Sequence, residues 1–264
     1  MIISNALSLP VDLVRHRSHW ASCLVVLLMI GGCVTEQSGG MPEPAPNSER
    51  VQAQLDLARG YLEQRELERA KLPLARALEI DPRHVEALVL NAVLMNMQGE
   101  YKLAEQYYRA ALRVEPDNAQ ALNNYGSFLY NRGRFTDALV PLQKLVKDTD
   151  YRGRSQAFEN LGLAQLQVND KQGAQASFRR ALDLNFRQAR ASLELAQLAY
   201  EQGSYKEAAG RLLEYRTMAR QNARSLCLGV KVGTVLGDSD QVASNLLALK
   251  NLFPEQADQC QTNP

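Results

Sequence analysis

The stretch Asn118–Asp148, NAQALNNYGSFLYNRGRFTDALVPLQKLVKD, decides the fold. Leu122, Tyr125, Gly126 and Leu129 recur at spacings of three, one and three, the stripe of one helix face. Asn131, Arg132 and Gly133 break the pattern. Ala138, Leu142 and Leu145 then recur at four and three, the stripe of a second helix. A helix of about a dozen residues is marginal alone in water. Two of them folded into a hairpin still leave an apolar face bare, so the unit needs neighbours.

The chain supplies them. Units begin at Val51, Val85, Ala119, Ser155, Ala189 and Ala223, each 34 residues after the last except for a step of 36 between Ala119 and Ser155. Position 8 is Ala58, Ala92, Gly126, Gly162, Ala196 and Val230; position 20 is Ala70, Ala104, Ala138, Ala174, Ala208 and Val242. Small residues in both columns let the two helices of a unit approach closely. Position 24 is Leu74, Tyr108, Leu142, Phe178, Leu212 and Leu246, large groups that fill the space beside the contact. Proline at position 32 (Pro82, Pro116, Pro254) ends the second helix, because it lacks an N–H and its ring clashes with the preceding turn. The Leu, Ala, Tyr and Phe of these columns are core, not ligands.

This pattern resembles the tetratricopeptide repeat family. The resemblance implies an all-α fold, a right-handed solenoid of about six helix pairs with a concave groove lined by the first helix of each pair. The units are 51–84, 85–118, 119–154, 155–188, 189–222 and 223–254. The insertion around Asp150–Arg154 replaces the proline of the third unit and predicts a longer loop there. In the sixth unit Leu228-Gly229 suits the packing columns one residue early. With only 255–264 remaining as a tail, no capping helix is expected.

The 264 residues carry a formal charge of +1. Removing 1–32 takes away Asp12, Arg15 and Arg17 and leaves acids and bases in balance. No basic stripe marks a nucleic-acid partner. Residues 1–32 read as an address: Arg15-His16-Arg17, an apolar run Trp20–Ile30 too short for a stable membrane anchor, then Gly31-Gly32. The part before Arg15 is long for a signal, which also fits a start later than Met1. Cys33, directly after the glycines, resembles the bacterial lipobox. That resemblance implies cleavage after Gly32 and a covalent lipid on Cys33, with an ordinary signal peptide or an uncleaved anchor as the alternatives. Val34 rather than Asp next to it implies the outer membrane as destination. More than one acyl chain is needed for a stable hold, at about 0.8 kcal/mol per buried methylene. Thr35–Ser48, rich in Gly, Pro and Ser, predicts a flexible tether within 33–50.

Chemistry is scarce beyond the anchor. Cys227 and Cys260 both fall in the sixth unit or its tail; pairing and two free thiols are both open, because the Cα separation decides it. His84, after Asp81-Pro82, reads as a solvated turn residue. One histidine without clustered Cys or acids supports no zinc site. There is no nucleophile elbow, phosphate loop or dinucleotide turn. The expectation is a protein that is not an enzyme and takes no cofactor and no small-molecule substrate.

Function then lies in surfaces. In the repeat family, positions 2, 5, 9, 12 and 13 of each first helix face the groove. The first two units place Leu55, Leu62, Val89, Val93 and Met97 there, beside Arg59, Glu86 and Asn96. The third places Gln120, Asn123, Ser127, Tyr130 and Asn131. The expectation is an apolar groove that holds an amphipathic helix or an added strand. Asn124 and Asn160 occupy the column used by family members that clamp a chain-terminal carboxylate, but Val89, Val93 and Gln156 stand where the basic partners belong, which argues against such a clamp.

Three stretches go beyond the generic repeat: NAQALNNYGSFLY at Asn118–Tyr130, AFENLGLAQLQ at Ala157–Gln167 and QNARSLCLG at Gln221–Gly229. With the lipobox, six units and the insertion after the third, the chain resembles the type IV pilus biogenesis lipoproteins of the PilF and PilW pilotin family. The resemblance implies binding of the pilus secretin subunit, its delivery to the outer membrane and its assembly there. A general outer-membrane scaffold for another envelope complex is the competing reading.

Overall fold

A computed structural model of the chain describes residues 46–262. Thirteen helices and no strand occur among them. They are α1 (Asn47–Glu63), α2 (Leu67–Ile80), α3 (Val85–Met97), α4 (Tyr101–Val114), α5 (Ala119–Asn131), α6 (Phe135–Leu145), α7 (Arg154–Gln167), α8 (Lys171–Leu184), α9 (Ala189–Glu201), α10 (Tyr205–Met218), α11 (Ala223–Leu236), α12 (Ser239–Leu252) and α13 (Pro254–Thr262). Six antiparallel hairpins stack in order as an all-α solenoid, and α13 lies against α11 and α12. Residues 1–45, Cys33 and most of the expected tether among them, lie outside the described residues. None of the described helices is long and apolar enough to cross a membrane.

Local chemistry sets the ends of these helices. The Asn118 side chain accepts from the Ala121 N–H at 3.0 Å, satisfying a free donor of the first turn of α5. Asp170, Asn222 and Asp238 do the same for α8, α11 and α12. His84 is not a solvated turn residue: it is half-buried, and its Nδ1 accepts from the Ala87 N–H as the cap of α3. The turn inside each hairpin passes through the left-handed region at one residue, Arg65, Gly99, Gly133, Asn169, Gly203 or Gly237, with φ from +59° to +83°. Four of these six are glycine, the residue without a Cβ to clash there.

The packing columns act as the sequence suggests. A Cβ on Gly126 would stand 2.8 Å from Leu142, and one on Gly162 2.7 Å from the Phe178 ring, so position 8 touches position 24. In the sixth hairpin the close approach is at Gly229 and Asn245, one residue ahead of the column. The insertion gives a connection of residues 146–153, where the Arg154 Nε donates to the Val146 carbonyl at 2.8 Å.

Two further expectations are corrected. The first helix begins at Asn47, inside the stretch read as tether. The tail also folds: Pro254, with φ preset for a first helical position, opens α13, and Ala257 and Cys260, three residues apart, bury one face against Leu226, Val230 and Leu249. Cys227 and Cys260, with Cα atoms 5.6 Å apart, form a disulfide that holds α13 onto the last hairpin.

Candidate functional site

First helices pack on one another in successive hairpins (α1 with α3, α3 with α5, α5 with α7, α9 with α11), whereas second helices pack mainly against first helices. The crowded side of such a stack is its inner face, so the first helices line the groove.

The expected apolar groove is not there. Leu55 and Val89 are wholly buried, and Leu62 is 7% exposed. Position 5 points into the seam between neighbouring first helices rather than out of it. Leu55 and Leu62 pack in one cluster with Ala87, Leu90 and Leu94, and Val89 in another with Ala121 and Leu122. Val93 is half-buried against the first cluster, and Met97, 37% exposed, is the remaining open apolar group of that set. The other expected groove residues, Arg59, Asn96, Asn123, Asn124, Ser127 and Tyr130, are half-buried. What the inner face offers is mainly amides, hydroxyls and charges.

Its charges are matched at both ends. Near the first hairpins Arg59 bonds Glu86 of the next unit and Asp56 of its own. The hydrogen bond to Glu86 and the charges of both carboxylates hold the Arg59 guanidinium above its usual value against the opposing effect of burial. Near the last hairpins Arg224 makes two bonds to Glu194, at 2.6 and 2.7 Å. That pairing raises the Arg224 pKa against the opposing effect of desolvation. Burial pushes Glu201 up, but hydrogen bonds from Lys171 and Gln197 and the charges of Lys171 and Arg224 outweigh it, and its carboxyl sits below the ordinary value.

Between these ends lies a small cleft of about 180 Å³. Ser127, Tyr130 and Asn131 of α5, Asn160 of α7 and Arg190 of α9 converge on it, with Leu142 and Leu163 in its lining. Tyr130 is held edge-on to Phe135, with ring centroids 5.3 Å apart. Arg190 is a groove residue that the sequence reading missed. Units two and four carry Val89, Val93 and Gln156 at the clamp positions, whereas the basic side chain stands at position 2 of unit five.

A larger open cleft, about 910 Å³, lies on the outer side between α8 and α10, with Phe186, 72% exposed, at its edge. Arg179 and Arg211 there are paired with Glu207 and Glu214. No group of three or more His, Cys, Asp or Glu that could hold a metal occurs among the described residues.

Comparison with known proteins agrees with this architecture. The tetratricopeptide repeat family matches residues 55–113, 97–151 and 159–223. The type IV pilus assembly protein PilF of Pseudomonas aeruginosa is 40% identical over 236 residues, 88% of this chain and 94% of that protein. The solved structure of Pseudomonas aeruginosa PilF superposes with a TM-score of 0.78 at 39% identity, covering 83% of this chain and 99% of the other. The structure of PilW, described as a widely conserved type IV pilus biogenesis factor, superposes with a TM-score of 0.68 at 25% identity, covering 79% and 97%.

Proposed function

Since the chain belongs to the PilF and PilW family of type IV pilus assembly proteins built from tetratricopeptide repeats, we propose that it is a pilotin. On this reading it is a lipoprotein on the periplasmic face of the outer membrane, anchored through a covalent lipid on Cys33. It binds the secretin subunit of the pilus in its inner groove and promotes the localisation and multimerisation of that subunit in the outer membrane. The observation that carries the reading is the family likeness, which spans 88% of the chain rather than a single repeat.

Three features support the finer steps. Gly31-Gly32-Cys33 followed by Val34 suits lipidation and outer-membrane sorting. The Gly- and Pro-rich stretch after Cys33 suits a spacer that lets the solenoid reach a partner away from the lipid surface. The groove offers amide and hydroxyl groups that can bond the backbone of an extended or helical segment. The protein acts by holding another protein rather than by catalysis.

The test is Cys33→Ser in the native host. The variant is expected to accumulate as a folded protein that still captures secretin, while secretin multimers disappear from the outer-membrane fraction. Normal secretin rings in the outer membrane of that strain would refute the pilotin reading.

A further inference from the structure

The most exposed large apolar side chain among the described residues is Phe186, at 72%. It stands at position 32 of the fourth unit, where three other units carry proline, on the rim of the outer cleft of about 910 Å³ between α8 and α10. Its turn is fixed. The Asn185 Oδ1 accepts from the Arg187 N–H at 3.0 Å, and the Arg187 guanidinium lies 5.5 Å from the centre of the Phe186 ring. Half-buried Leu182 and Met218 lie in the lining of the same cleft, so knob and hole belong to one patch. The outer cleft at α6, about 680 Å³, is built differently: Val140 and the buried Leu122 are the apolar groups of its lining, and no aromatic ring stands in it. The charges beside Phe186 are mixed. Arg179 and Arg211 are paired with Glu207 and Glu214. Arg187 makes no ion pair among the described residues, and Asp183 is held loosely, by Arg180 at 3.8 Å. One open base and one loosely held acid thus share a lining in which neither sign dominates, which suits neither a polyanion nor an anionic lipid surface.

We propose that this face joins two copies of the chain about a two-fold axis. Such an interface sets one patch against itself, so a residue that meets a second residue across it is met by that second residue in return. Phe186 of each copy enters the cleft of the other and rests on Leu182 and Met218, the methionine adapting to the ring. Arg187 of each copy meets Asp183 of the other, which satisfies the open charge twice. An aromatic already fixed by its turn loses little freedom on docking. The patch is small, so the dimer is a weak one, with a Kd on the order of micromolar to tens of micromolar. The contact lies on the outer side, so the inner groove of each copy stays open and the dimer presents two of them. The inference goes beyond the pilotin reading and does not depend on it.

The test is sedimentation velocity of the full chain in density-matched detergent, from about 1 µM to about 200 µM, a range that brackets such an affinity. Micelles are kept in excess over protein, so that two chains do not share one by chance. The wild type is expected to pass from monomer to dimer as its concentration rises. Phe186→Asp is expected to weaken the dimer at least tenfold, with an unchanged helical circular dichroism spectrum. Val140→Asp, on the other outer cleft, is expected to leave it as it was. Asp183→Arg is expected to weaken the dimer by repulsion from Arg187, and the exchanged pair Asp183→Arg, Arg187→Asp to restore it. A wild type that stays monomeric throughout, a Phe186→Asp variant that dimerises as well as wild type, or an exchanged pair no better than Asp183→Arg alone would overturn the proposal. A monomeric wild type whose secretin capture is lost in Phe186→Asp would also overturn it and assign the cleft to the secretin. Dimerisation without any secretin binding would instead overturn the pilotin reading and leave the dimer standing.

Discussion

Two glycines in first helices should respond with opposite signs to the same substitution. Gly60 lies inside α1, and a Cβ built there meets nothing within 4 Å. Gly60→Ala therefore gains the helix-propensity difference, about 0.8–1 kcal/mol, with no steric opposition. Gly162 lies inside α7, where the added carbon would stand 2.7 Å from the Phe178 ring. Phe178 is wholly buried, so the ring has no open space to turn into. Overpacking of this kind costs about 1–3 kcal/mol. Set against the same propensity gain, Gly162→Ala should lose about 1 kcal/mol net. The double variant Gly162→Ala, Phe178→Leu recreates the pairing of Ala58 with Leu74 in the first hairpin and should recover part of the loss. Urea unfolding followed by circular dichroism gives the net change. Hydrogen exchange read peptide by peptide shows whether it is confined to the fourth hairpin, as expected for repeats that contact only their neighbours. If Gly162→Ala stabilises as much as Gly60→Ala, the close helix contact at position 8 is not what the geometry says.

Other outcomes follow from the same structure. Asn118→Ala should destabilise by about 1 kcal/mol, and Asn118→Asp by much less, because the aspartate still accepts from the Ala121 N–H; thermal midpoints of the two variants test this. Burial pushes the Glu105 carboxyl up, but hydrogen bonds from Arg134 and Tyr125 and the charges of Arg109 and Arg134 outweigh it and hold its pKa below the ordinary value. The ionised group therefore contributes stability that is present above the unfolded pKa of about 4.3 and is lost as pH falls through the lower folded value. The gap in thermal midpoint between wild type and Glu105→Gln should be widest near neutral pH and close in acid. Removing the disulfide with Cys227→Ser, Cys260→Ser releases a loop of sequence separation 33, worth about 3–4 kcal/mol in the chain-entropy account. Amides of α13 should then exchange faster, while those of the first four hairpins stay as they were.

The hairpins were legible in the sequence because their columns answer to one local contact. Gly126 with Leu142 and Gly162 with Phe178 are pairs inside one unit, repeated often enough to read. The groove was less legible because its residues are set by contacts between units. Leu55 and Val89 occupy a column that the repeat family turns inward, yet here the next first helix covers them. Hydrophobic period alone does not separate a leucine in a seam from one on a surface. The cap was missed for a different reason. A stretch of nine residues is too short to fold by itself, and α13 is held by burial of Ala257 and the bond from Cys260 to Cys227. Arg190 does carry a sequence signal, a basic residue at position 2 of the fifth unit.

The central claim, that the inner face between the third and fifth hairpins holds the secretin, is tested most directly by the affinity of purified secretin subunit for the wild type and for Ser127→Arg. Ser127 is half-buried in the middle of that face, and the long side chain would fill the cleft and crowd Arg190 with a second positive charge. The account predicts that secretin binding falls at least tenfold while the helical circular dichroism spectrum is unchanged. Undiminished binding by a folded Ser127→Arg would contradict it.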